Sequence, residues 1–542
     1  MMKYTGIALL VWATQSWAAP TTQHNIPDWT YTVRPGDTLT SIAQTYLKQP
    51  QNWQPLQRKN HIANPHQIPP GTQLRIPADV LKHAPSTAKL IAITGSVQYR
   101  LINAAWQPAS VGQQLPVGTE IQTAAEGYAL LELANGTRIG LQAASDMTLD
   151  TLSLYANGLM ADTRLRLQNG QTSIVDNPQH RPNQYLRIIT PTAQAVVRGT
   201  EFRVAVDGNT TREETLAGGI ALSAANKTVA VDKGKGSLSA DGQPPRPPVT
   251  LLAAPDVSTL PKQIEQLPIR FPMPALVNAQ AWHGEVVATA HPETVLLDKT
   301  TAAKTLNFAD LPNGDYVLRL RGVDALGLQG YDAAHAFKVF ARPFFPPVSQ
   351  PREGSVVRSP RAAFSWGQLV DVTATHIQIA ATADFKQPLF DTLVSTNSWT
   401  PSADLPVGQL YWRAASVDKA QGPWGATVRF IYKPAPGAVD LSKAALRFDS
   451  DYLYYDLPKP EADMHYQLSL AQDAEMKDRA LAPVNSSTGM IKISRPRFGG
   501  YYLGVRQIDD GDGTAGPMAI QKIDVPIPYP YIWLGVPLLL LF

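Results

Sequence analysis

The sequence predicts a multidomain, mainly β protein: a small βααβ module, then an all-β domain, then about three β-sandwiches. Three observations carry this reading. The chain has 542 residues, too many for one hydrophobic core. Over residues 88–240, short apolar runs alternate with Gly turns and strands recur roughly every 8 to 12 residues. The C-terminal half also repeats itself with a period of roughly 93 residues, about the size of one sandwich domain.

Composition narrows the class. The formal net charge is +3 and only 17% of residues are charged, so nothing polybasic points to a nucleic-acid partner. The 46 Pro and 37 Gly fall between the alternating runs and read as turns and linkers. With 0 Cys, the chain has no disulfide, no thiolate metal site, no cysteine nucleophile and no lipidated cysteine. Residues 1–19 have the form of a secretory signal, with Lys3, an apolar stretch from Ile7 to Trp12, and the small-x-small site Ser16-Trp17-Ala18. Cleavage is expected after Ala18 or Ala19. The apolar stretch is shorter than the ~20 residues that span a bilayer.

The βααβ module follows. Tyr31 and Val33 alternate as a strand does, and Pro35-Gly36-Asp37 is a turn. Thr38 is placed to N-cap a helix whose apolar face is Leu39, Ile42, Ala43 and Tyr46. A second short helix fits residues 53–60, with Trp53, Leu56 and Arg58 as candidates to pack inward. Asn64-Pro65 and Pro70-Gly71 break the chain, and residues 73–76 close it as a second strand.

This pattern resembles the LysM module over residues 30–78. It is carried by Tyr31-Thr32-Val33-Arg34-Pro35-Gly36-Asp37-Thr38-Leu39, Ile42-Ala43, Asn64-Pro65, Pro70-Gly71 and Leu74-Arg75-Ile76-Pro77. The resemblance implies a shallow groove for N-acetylglucosamine-containing glycans, the strands of peptidoglycan. Gly36, Asp37, Thr38 and Leu39 would form one wall and Ile62, Ala63, Asn64 and Pro65 the other. Backbone groups would meet the acetamides, and small apolar side chains their methyls. For Asp37 and Thr38, helix capping explains the residue types at least as well.

After a linker at 82–87, residues 88–240 read as strands and Gly turns, with a hairpin signal at Asn135-Gly136. This stretch resembles the FecR domain through Gly95-Ser96-Val97, Asn135-Gly136-Thr137, Thr190-Pro191-Thr192, Glu214-Thr215-Leu216-Ala217-Gly218-Gly219-Ile220 and above all Val197-Arg198-Gly199-Thr200-Glu201-Phe202. In the iron-uptake regulators that name the family, such a domain relays a signal in the periplasm. Those proteins place a sigma-binding segment and a membrane span before it, where this chain has the signal and the LysM-like module. Only the fold and a general role in protein contact carry over. For Arg198, Glu201 and Arg203, pairing of either arginine with Glu201 at a strand edge outweighs a contact patch.

Residues 243–248 read as a stiff Pro-rich linker. Three repeats follow at 255–342, 343–433 and 434–526, with tight turns and Arg-bearing aromatic strands around Tyr316 to Arg321, Tyr411 to Arg413 and Tyr501 to Arg506. They resemble fibronectin type III or Ig-like sandwiches. Trp282, Trp366 and Tyr454 are the expected core aromatics. Gly511-Asp512-Gly513-Thr514-Ala515-Gly516 lacks the helix a dinucleotide loop needs and reads as a hairpin loop. A calcium ion on Asp509, Asp510 and Asp512 is outweighed by a solvated turn. The tail at 527–542 is apolar but carries Gly535 and Pro537. The sequence leaves open whether it enters a membrane, packs on a partner or leads into more chain.

The sequence has no zinc-binding H-E-x-x-H, no nucleophile elbow and no phosphate loop. The expectation is a non-enzymatic protein of the periplasm or cell envelope, without cofactor or metal, that binds peptidoglycan glycan strands. The alternative is a periplasmic signal-transduction component acting on an envelope protein through the FecR-like domain.

Overall fold

The computed structural model describes residues 26–175 and 184–527. The expected leader, most of the apolar tail and the side chain of Arg198 lie outside the described residues. The molecule is mainly β and divides into two compact units, Met1–Phe340 and Ala341–Phe542.

In the first unit, strand β1 (Trp29–Thr32) pairs antiparallel with β2 (Gln73–Ile76), placing Tyr31 opposite Leu74. Between them lie helices α1 (Leu39–Tyr46) and α2 (Gln54–Lys59). Helix α1 starts at Thr38 because its hydroxyl accepts from Ser41 N at 3.1 Å while Ser41 Oγ accepts from Thr38 N at 2.9 Å, a reciprocal cap. The expected apolar face of α1 is buried. Helix α2 is shorter than the 53–60 expected. Trp53 and Asn60 flank it, and Arg58 is exposed rather than packed inward.

Residues 82–87 are not a free linker. Strand β3 (His83–Pro85) pairs with Asp146–Tyr155 of the next domain, and Lys82 Nζ donates to the carbonyls of Gln44 at 2.6 Å and Thr45 at 3.1 Å, capping the C-terminal end of α1. One core joins Trp29, Leu47 and Leu81 of the module to Ala156 and Met160 beyond it. Strand β3 escapes a hydropathy reading because its three residues are exposed and its pairing is made by the backbone.

The all-β domain is a large, mostly antiparallel sheet whose long strands are Met160–Val175, Gln194–Asp207 and Thr210–Ala224. Its core includes Leu131, Ile139, Leu165, Phe202, Val204 and Leu222. The hairpin at Asn135-Gly136 sets Arg138 opposite Glu132, with Gly136 at φ 85°. The Pro-rich stretch at 243–248 does not project as a spacer. Arg246 N donates to Leu238 O at 2.9 Å, and Val249–Thr250 joins the sheet edge beside Lys235–Ala240.

The three repeats are two-sheet sandwiches. The first packs a five-stranded sheet centred on Ala281–Ala288 and Gly314–Val323 with a two-stranded one. In the second unit, the next sandwich has Phe364, Trp366, Trp412 and Phe430 in its core. Trp282 and Trp366 are both buried. Tyr454 is not a core residue: its neighbour Tyr455 is, and Tyr454 faces outward with the Arg447 guanidinium 5.1 Å from its ring centroid. A strand alternates faces at every residue, so the expected register was off by one. Asp509 and Asp512 are engaged by cations of their own unit. Arg358 Nη2 lies 3.0 Å from Asp509 and 2.6 Å from Asp512, and Lys433 Nζ 2.6 Å from Asp509.

Candidate functional site

The two loops singled out in the sequence meet at the N-terminal end of α1. Leu39 N donates to Pro65 O at 3.0 Å, which ties one wall of the groove to the other. Leu39 holds the walls together and does not face a ligand, since its side chain is fully buried and its N–H is engaged. Asp37 braces its own turn: its carboxylate accepts from Tyr31 Oη at 2.6 Å and from Arg34 N at 2.7 Å. Burial and the hydrogen bond to Asp37 push the Tyr31 phenol well above its usual range, so it stays a neutral donor. Thr38 is occupied by the cap.

The opposite loop is shaped the same way. Ile62 is half-buried, its N–H bonded to Gln57 O at 3.0 Å. Asn64 Oδ1 accepts from His66 N at 3.0 Å. What faces outward is backbone. Among the described residues, the N–H and C=O of Gly36 and of Ala63 make no hydrogen bond, and a Cβ built on Gly36 meets nothing within 4 Å. Gly36 sits at φ +88°, a conformation glycine adopts without strain. Free peptide groups on two facing loops are what an acetamide can pair with. The loops lie at the opposite end of α1 from the Lys82 contacts, about 12 Å away at 1.5 Å per residue.

A second concentration of chemistry, missed in the sequence, lies where the all-β domain meets the first sandwich. Arg321 is 1% exposed and contacts Glu285 at 2.5 Å, Asp332 at 2.8 Å and Gln329 Oε1 at 2.7 Å. Arg203 does not pair with Glu201. It is buried, donates to Gly330 O at 3.1 Å and lies 3.4 Å from Asp332, while Glu201 is exposed. Gln142 Nε2 reaches Glu285 at 3.2 Å, and His283 Nε2 sits 3.3 Å from Glu285 and 3.2 Å from Asp298. Burial alone pushes the Glu285 carboxyl up, but Arg321 and His283 more than reverse this and hold it well below the usual range. Asp298 is pushed up by burial. On the other face of the same sheet, Glu213 lies opposite Val204 in the core. Burial pushes its carboxyl up to about 8, Thr215 Oγ1 donates to it at 2.7 Å, and its Oε2 has no partner among the described residues. One sequence signal was available for the junction. At the positions aligned by strand pairing, Glu285 stands where the later repeats have Gln378 and Gln467, and Arg321 where they have Ala415 and Ile508.

Comparison with known proteins accords with this layout. Residues 31–77 match the LysM domain model and residues 119–221 the FecR protein model. The chain carries a LysM module and a FecR module. Neither match spans half of the chain, so each describes a module and not the whole protein. Both families, like the fibronectin type, are binding or regulatory domains rather than catalytic ones. An uncharacterized protein of Deinococcus radiodurans is 44% identical over 50 residues, 9% of this chain and 20% of that relative, so the match spans a fifth of the curated relative's length. Among solved structures, the chicken CNTN1 FN1-FN3 domains are 13% identical, over 51% of this chain and 99% of that one, with a TM-score of 0.25. A putative anti-sigma factor from Parabacteroides distasonis is 13% identical, over 24% and 59%, with a TM-score of 0.21. Scores this low carry no argument, and the sandwiches are read from their own strand order.

Proposed function

We propose that this is a non-enzymatic envelope protein that binds the N-acetylglucosamine glycan strands of peptidoglycan between the loop Gly36, Asp37, Thr38 and Leu39 and the loop Ile62, Ala63, Asn64 and Pro65, with the peptide groups of Gly36 and Ala63 meeting the sugar while Asp37, Thr38 and Leu39 shape the groove. The FecR module and the sandwiches serve protein contact and spacing, in the division 30–78, 88–240, 255–342, 343–433 and 434–526. The observation that carries the reading is the Leu39–Pro65 hydrogen bond, which closes the groove while leaving the peptide groups of Gly36 and Ala63 free. An exported, cysteine-free chain suits the periplasm, where a meshwork of sites multiplies weak binding. The alternative, a periplasmic signalling component, is favoured by the FecR match. Crosslinking that captures a membrane receptor but no wall material would select it.

The test is co-sedimentation with purified peptidoglycan. Removing the whole module is a poor variant because its core continues into the FecR domain. Ala63→Glu changes one exposed position and leaves the loop's own hydrogen bonds in place. Binding is expected to fall at least tenfold, with the melting temperature unchanged. Undiminished binding would reject the groove.

A further inference from the structure

A cleft of about 440 Å³ opens where the FecR module meets the first sandwich. It lies beside the strand Ala281–Ala288, and the register gives its two ends different chemistry. At one end Glu285 stands opposite Asp298. Gln142, 3% exposed, lines the cleft there: its Nε2 donates to Glu285, and its Oε1 accepts no hydrogen bond among the described residues. Asp298 lines the same end, and the His283 ring that contacts it is shared with Glu285. Both side chains are acceptors short of a donor.

At the other end Val323 stands opposite Ala281, which is ~13 Å along the strand from Glu285. The turn after Val323 is held by Arg212 of the FecR module, whose Nε donates to Leu326 O at 2.8 Å. Its Nη1 lies 3.5 Å from Asp207, a side chain 80% exposed, and its Nη2 has no hydrogen bond among the described residues. A guanidinium in this state can grip a carboxylate with both terminal nitrogens. Between the ends, level with Arg321 and His283, Gln171 and Gln329 donate to each other at 3.2 and 2.8 Å, which leaves Gln171 one amide N–H for a main-chain carbonyl. Acceptors at one end, a cation at the other and an amide between them match a short peptide with free termini, since three extended residues span about 10 Å. A neutral sugar calls for no such separation of charge.

We propose that this cleft binds a short zwitterionic peptide, about three small residues long. The ammonium sits between Gln142 Oε1 and Asp298, the carboxylate on Nη1 and Nη2 of Arg212, and the main chain on Gln171. Ala143 and Ala205, which also line the cleft, leave room for small side chains. Gln142 and Arg212 come from the FecR module and Asp298 from the sandwich, so an occupied cleft draws on both. The inference does not rest on the glycan reading, since no residue of the LysM module lines the cleft and the probe carries no sugar.

The full chain is titrated calorimetrically with trialanine, and separately with N-acetyl-trialanine and trialanine amide. The free peptide is expected to bind with a dissociation constant on the order of 0.1 mM. Each blocked peptide is expected to bind at least tenfold more weakly. Arg212→Gln should bind free peptide and amide alike, and Asp298→Asn should bind free and acetylated peptide alike. A loosened fold would weaken all three peptides together and would not erase one preference at a time. Should a variant fail to fold, the blocked peptides on the wild-type chain still decide. A wild-type chain that does not bind trialanine overturns the proposal, as do blocked peptides that bind as tightly as the free one. A folded variant that keeps both wild-type preferences also overturns it.

Discussion

The first and second sandwiches carry nearly the same polar residues on the outer face of the larger sheet, and use them in opposite ways. His283, Glu285, Asp298 and Arg319 of the first align by strand pairing with His376, Gln378, Asp391 and Arg413 of the second. In the second, Arg413 donates to Gln378 Oε1 at 2.7 and 3.0 Å, Gln378 donates to Asp391 at 2.8 Å, and His376 contacts Asp391. Each group is satisfied by its neighbours, and Leu393 on the same face is 63% exposed. In the first, a carboxylate replaces the amide, and Arg321 is added where the second has Ala415. The face is then covered by the FecR module, with Gln142, Arg203 and Glu214 opposing it. A neutral amide leaves an open face complete in itself. A carboxylate under cover needs a buried cation, and the pair fixes how two domains meet.

The largest effect should come from removing that cation. Arg321→Ala leaves Glu285 buried without its main cationic partner, a change that costs about 3–5 kcal/mol. Arg413→Ala at the half-open face should cost no more than about 1 kcal/mol, since its partner Gln378 is neutral. Urea unfolding of both variants measures the contrast. Equal costs would mean that cover by the FecR module adds nothing.

The contrast also explains what could be read in advance. Local signals sufficed for the LysM module, where the cap at Thr38, the turn at Gly36 and the apolar face of α1 lie within a few residues of each other. They sufficed for the hairpin at Asn135-Gly136 and for burial of Trp366. They failed wherever a partner came from far along the chain. Arg203 looked like a partner of Glu201 two residues away, but its contacts lie near residue 330. The backbone pairing of β3 and the clinging Pro-rich stretch were equally silent, since exposed residues paired through the main chain leave no periodic mark. The Tyr454 slip shows how a period of two makes the right strand and the wrong face equally easy to write down. In the groove, the loops and the cap at Thr38 were legible, but the Leu39–Pro65 hydrogen bond that ties the two walls together was not.

Glu213 sharpens the comparison by offering a buried carboxyl with no cation beside it among the described residues. Its folded pKa, about 8, lies above the 4.5 of the exposed group, so the folded chain holds a proton that the unfolded chain releases. Stability from this group is therefore fully present below about pH 4.5 and is lost as pH rises through about 8. Glu213→Gln should remove that slope, matching wild type near pH 4 and exceeding it at pH 8.5 by on the order of 2–4 kcal/mol. Glu285 has the opposite sign: held low, it contributes stability above the unfolded pKa and loses it as pH falls. Melting temperatures of both proteins between pH 4 and 9 decide the matter. A Glu213→Gln curve parallel to wild type would show that Glu213 is ionised or hydrated.

The smallest effect tests whether the amide itself is what keeps the second face self-sufficient. Gln378→Glu gives Arg413 a carboxylate to grip with the same two nitrogens, and at the same time sets two carboxylates side by side by losing the amide donor to Asp391. Gln378 is buried beneath Arg413, but Asp391 is exposed and Arg413 half-buried, so water screens part of both the gain and the repulsion and the net change should stay within about 1 kcal/mol. Glu285→Gln is the reciprocal exchange. It leaves the buried Arg321 with Asp332 but without its closest carboxylate, and should cost about 2–3 kcal/mol. If Gln378→Glu proved the more damaging, the burial of the first face would not be what makes charge pairing there necessary.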